Sequence, residues 1–116
     1  MSKRDILLLL DDMLDAGRKI LKYTEGHDFD SFNSDDKTVD AVVRNFEIIG
    51  EAANRIDPDF RTLHPEIEWN RVRGFRNRIV HEYFGIDNRI VWSIIEGYLI
   101  ELMNWIEKLI EDKKIT

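Results

Sequence analysis

Val39, Val42, Phe46, Ile49, Ala53 and Ile56 recur at steps of 3, 4, 3, 4 and 3 residues, and this rhythm constrains the fold more than any other feature of the chain. An α-helix turns once in about 3.6 residues, so alternating steps of three and four keep the apolar side chains on one face. The same rhythm runs through Ile6, Leu10, Met13, Gly17 and Ile20, and again through Val91, Ile95, Tyr98, Leu102, Trp105 and Leu109. Only two prolines interrupt the 116 residues, so long helices are unopposed. No strand pattern, internal repeat or low-complexity tract is visible. The expected fold is all-α: an antiparallel four-helix bundle with a short connector helix, forming a single domain over residues 1–116.

The first helix is expected from Lys3 to Thr24, followed by a loop from Gly26 to Ser34 that Phe29 and Phe32 pin to the core. The second helix should start after Ser34, an N-cap candidate with acids behind it, and end at Asp57-Pro58. Asp57 to Glu66 is a connector with one helical turn after Pro58. A third helix is expected from Ile67 to Phe84, with Gly85 as its C′ residue, and Asp87 then caps a fourth that reaches Asp112. In the fourth, Ile94, Leu99, Met103, Ile106 and Ile110 widen the apolar stripe beyond what one packing face needs. That breadth points to a central helix or a subunit interface.

Cysteine is absent, which removes disulfides and thiolate metal sites and fits a reducing cytoplasm. The longest apolar run, Ile6 to Leu10, is far short of the ~20 residues that cross a bilayer, and no cleavage site follows it. The expectation is a cytosolic protein with no membrane contact. The net charge of −6 opposes broad binding to nucleic acid. Yet residues 69–81 hold Arg71, Arg73, Arg76 and Arg78 and no acid, so the acidic excess lies entirely elsewhere. A compact arginine patch on an acidic protein is either a local anion site or a solvated face neutralised by a neighbouring helix.

Placed on one continuous helix at ~100° per residue, Arg76 falls in the middle of an apolar arc with Trp69, Val72, Ile79, Val80 and Tyr83. An arginine there needs a carboxylate, for which Glu47 and Glu51 are the candidates, or a pocket. Asn70, Gly74, Asn77 and His81 occupy a second arc, and Asn77 and His81 are neighbours on it. Arg76 and His81 lie ~140° apart on that wheel, so they do not share a face.

The run Arg76-Asn77-Arg78-Ile79-Val80-His81-Glu82-Tyr83 resembles the signature of HEPN-domain ribonucleases, and its His-x-Tyr ending resembles the HepT-like branch. Phe46 to Ala52, Trp69 ahead of Gly74-Phe75-Arg76-Asn77, and Phe84-Gly85-Ile86-Asp87 resemble the same branch, so the likeness spans nearly the whole chain. It implies a metal-independent endoribonuclease, without cofactor, that cleaves RNA through attack by the ribose 2′-hydroxyl on the adjacent phosphate. His81 would move the proton, Arg76 would clamp the phosphate, and Asn77 would orient either group. Tyr83 matches the residue to which a partner MNT nucleotidyltransferase antitoxin attaches AMP. The resemblance also implies a homodimer, which would let Arg76 and His81 meet across two copies.

Arg71, Arg73 and Arg78 are candidate contacts to the RNA backbone. His27 and His64 receive no role, and no histidines are spaced for a shared metal. Trp92, Trp105 and the phenylalanines read as core or interface. A different function class stays open at this stage: a non-catalytic helical subunit that binds nucleotide or substrate for a nucleotidyltransferase.

Overall fold

The computed structural model describes residues 1–81 and 85–115, with side chains as far as Lys113. Its first helix, α1, runs Lys3–Thr24 as expected, capped by Ser2, whose side chain accepts from the Asp5 N–H. The expected loop contains a short helix, α2 (Phe29–Asn33), because Asp28 and Ser31 form a reciprocal capping box. Phe32 is fully buried against the Trp92 ring at 5.1 Å, whereas Phe29 is only half-buried. Helix α3 covers Asp36–Arg55, and its N-cap is Asp35 rather than Ser34. Asp35 accepts from both the backbone N–H and the hydroxyl of Thr38, two bonds that Ser34 is placed too early to make. The turn after Pro58 is present as α4 (Pro58–Leu63), with the proline at the helix start, where its missing N–H costs nothing.

The expected third helix is shorter than its pattern implied. It comprises α5 (Trp69–Arg73) and α6 (Phe75–Ile79), separated at Gly74, where ψ is 5°. Hydrogen bonds from Gly74 N–H to Asn70 and from Arg78 N–H to Gly74 still cross the interruption. The helix then stops at Ile79, not Phe84. Val80–His81 (β1) and Gly85–Ile86 (β2) form a small antiparallel ladder, with Val80 opposite Ile86 and His81 opposite Gly85. The segment is rich in β-branched and aromatic residues, and Gly85 has φ +73°, which suits a tight reversal. The Asp87 N–H donates to the Ile79 carbonyl at 2.8 Å and closes the hairpin. Gly85 therefore takes the left-handed conformation foreseen for a C′ residue, but uses it in a hairpin.

The fourth helical stretch is α7 (Asn88–Gly97) followed by α8 (Leu99–Ile115). Tyr98 departs from helical dihedrals while its N–H still reaches Ile94 and its carbonyl accepts from Leu102. The fold is thus all-α apart from the two-residue strands. Helices α1 and α3 pack along each other, α8 lies against α1, and α5 and α6 lie against α3. Leu10, Met13, Phe46, Phe75 and Leu99 are among the fully buried side chains at the centre. Gly50 permits the close seating of α5: a Cβ there would stand 3.3 Å from the Val72 carbonyl oxygen. The broad apolar stripe of α7 and α8 is consumed inside one chain, since every residue of it except the half-buried Trp105 is buried. Its width therefore gives no support to a subunit interface.

Candidate active site

His81 leaves α6 and enters β1, where it faces the start of α7. Its Nε2 lies 3.6 Å from Oδ2 of Asp87, with both side chains partly exposed. The other Asp87 oxygen, Oδ1, accepts from the Ile90 N–H at 3.1 Å and caps α7. The helix cap thereby fixes the carboxylate, and the carboxylate faces the imidazole. These two residues line an open cavity of 330 Å³ with Asn33, Asn88, Arg89 and Phe29. Asn88 donates to Asn33 at 2.8 Å, and the Arg89 guanidinium stacks over the Phe29 ring at 4.4 Å. A histidine beside a fixed carboxylate, open to solvent and near a cation, has the parts for proton transfer at a phosphate.

Arg76 and Asn77 sit in a different cavity, of 390 Å³, between α3 and the α5–α6 segment. Asn70, Gly74 and Asn77 do share a face there, as the wheel proposed. His81 does not join them, because the helix ends two residues before it. Arg76 itself is exposed, contrary to its expected place in the apolar arc. Val80 lies beyond the end of α6, so it does not extend the apolar stripe over Arg76. The residues that reach the core are Trp69, Val72, Phe75 and Ile79, whose mean direction is about 45° away from Arg76 at 100° per residue. Glu47 and Glu51 line the Arg76 cavity, but the ion pair of Glu47 is with Arg44, at 4.0 Å.

Tyr83 lies outside the described residues, as do its neighbours Glu82 and Phe84. Arg78 is exposed on α6. Arg71 is half-buried, stacked over the Tyr98 ring at 3.9 Å and paired with Glu68 at 3.2 Å. Burial pushes the Tyr98 hydroxyl above its ordinary value, with Glu68 adding to the shift. Arg73 donates from Nε to Asn54 at 3.0 Å. Sequence reasoning read Asp87 only as a helix cap. Its place six residues after His81 gave no hint of a pairing, because both residues were assigned to helical ends rather than to one hairpin.

Residues 13–109 match the protein family described as "Ribonuclease HepT-like". The chain belongs to the HepT-like ribonuclease family. It is 40% identical over 100 residues to a protein of Thermococcus cleftensis named "Probable ribonuclease HepT", covering 86% of this chain and 91% of that one. It is 35% identical over 112 residues to a Methanocaldococcus jannaschii protein named "Putative RNase", covering 97% and 93%. A Caldanaerobacter subterraneus protein of the same description is 31% identical over 105 residues, covering 90% and 94%. No solved structure shows a significant match. Each of these three relatives is thus matched along nearly its full length. Among the described residues no cluster of histidine and carboxylate side chains is suited to a metal ion, and no helix is long and apolar enough to cross a membrane.

Proposed function

We infer that this HepT-like chain is a metal-independent endoribonuclease and the toxin of a HEPN/MNT-type toxin–antitoxin pair. The observation that carries the reading is His81 with its Nε2 3.6 Å from a carboxylate that a helix cap holds in place. The imidazole takes the proton of a ribose 2′-hydroxyl. The freed oxygen attacks the neighbouring phosphorus, the bond from phosphorus to the 5′-oxygen of the next nucleotide breaks, and that oxygen leaves with the proton the imidazolium gives up. The products are a 2′,3′-cyclic phosphate and a 5′-hydroxyl. Asp87 is a positioning residue: its carboxylate faces the ring and orients it. Arg76 clamps the phosphate and offsets the charge growing on its oxygens, with Asn77 beside it.

Within one chain His81 and Arg76 line separate cavities. The reading therefore includes a homodimer in which Arg76 of one copy serves His81 of the other. Tyr83 follows His81 by two residues. AMP placed there by an MNT nucleotidyltransferase antitoxin adds bulk and negative charge beside the anion site and repels RNA.

The test is incubation of the unmodified protein with transfer RNA and messenger RNA in the presence of a chelator, beside Arg76→Ala and His81→Ala. Wild type should cut, and each variant should lose about 10²-fold or more in rate. Cleavage by the variants at the wild-type rate overturns the reading. Tight nucleotide binding with intact RNA favours an accessory subunit of a nucleotidyltransferase instead.

A further inference from the structure

A cavity of 590 Å³ lies away from His81, beneath α4 and along α5. Three arginines line it, Arg61, Arg71 and Arg73, against one carboxylate, Glu68. Two of the three are held only by neutral acceptors among their hydrogen bonds: Arg61 donates to the Ala53 carbonyl at 3.3 Å, and Arg73 to the Asn54 side chain. Arg71 is braced by the Tyr98 ring and Glu68. Partial desolvation loosens the hold of Arg61 on its proton, and the nearby Arg73 charge loosens it further, with Asp57 acting the other way. Three guanidiniums against one lining carboxylate leave the cavity with a positive local charge that attracts anions. The cavity adjoins the Arg76 site, since Asn70 and Arg73 line both.

We propose that Arg61, Arg71 and Arg73 form a phosphate-binding subsite that holds the RNA strand one or more nucleotides away from the scissile phosphate at Arg76. The proposal rests on the ribonuclease reading and extends its substrate contact from α6 round to α4. Glu68 lines the Arg61 end of the track, where Asp57 also opposes the Arg61 charge, and Glu47 and Glu51 stand beside Arg76. The planar guanidiniums suit phosphodiester oxygens, which accept paired N–H donors. Arg61 acquires a role that its place in the connector did not announce.

The test measures binding of a fluorescein-labelled single-stranded uridylate dodecamer by anisotropy, in a His81→Ala background so that the probe survives. Arg61→Gln and, separately, Arg73→Gln should each weaken binding about tenfold and lower the slope of log affinity against log salt by about 1. Arg61→Lys should recover most of that slope. Uridine monophosphate should compete poorly, because it spans one phosphate. In the active chain Arg61→Gln should raise KM with little change in kcat. Wild-type affinity and salt slope in both glutamine variants would overturn the subsite, as would competition by the monophosphate as effective as by the dodecamer. Binding is read without cleavage, so these outcomes are independent of whether His81 is catalytic.

Discussion

Asp87 serves two groups with its two oxygens. Oδ1 caps α7 through the Ile90 N–H, and Oδ2 faces the His81 ring. An asparagine caps a helix about as well as an aspartate but carries no charge. Asp87→Asn should therefore leave the melting temperature nearly unchanged while cleavage falls about 10-fold. His81→Ala should fall further, by about 10² to 10⁴, as expected for loss of a general acid–base. Parallel melts and initial rates check both halves of this statement. A wild-type rate in Asp87→Asn would leave the carboxylate as a cap alone. At this scale the motif made His81, Arg76 and Asn77 legible as candidates, because their spacing does not depend on the local backbone. The partner of His81 was not legible, because it depends on a hairpin.

Elements were legible where a cap or a seam is unambiguous. Lys3–Thr24 and the turn after Pro58 could be read directly, since Ser2 and Pro58 mark their starts. The end of the third helix could not, because Val80, Tyr83 and Phe84 continue an apolar rhythm that suits a helix or a short strand alike. Two caps make a pH prediction. Hydrogen bonds from the Thr38 side chain and backbone hold Asp35 below the usual carboxylate value of 3.8, and bonds from Ser31 do the same for Asp28. A carboxyl lowered in the folded state stabilises it above that value and ceases to do so as pH falls through and below it. The melting temperature should thus drop as pH descends past about 3.8, and less steeply in an Asp28→Asn, Asp35→Asn variant. Melts over an acid series compare the slopes, and equal slopes would remove these caps from the acid response.

For the molecule as a whole, the separation of the Arg76 and His81 cavities is the main departure from a single-helix site. The wide stripe on α7 and α8 is used up by the core, so pairing of two copies rests on this separation and on the family likeness. Subunit mixing tests it. Arg76→Ala and His81→Ala proteins should each be nearly inactive, and their mixture should regain about a quarter of wild-type activity, as one intact site in a half-populated heterodimer gives. A mixture as inactive as its components would place the whole site within one chain. If the chain's own side chains drive 2′-hydroxyl attack, the ends of the cut RNA record it. In chelator, fragments should end in a 2′,3′-cyclic phosphate and begin with a 5′-hydroxyl, and none should form with His81→Ala. Fragments with 3′-hydroxyl and 5′-phosphate ends, or the same fragments from His81→Ala, would contradict it.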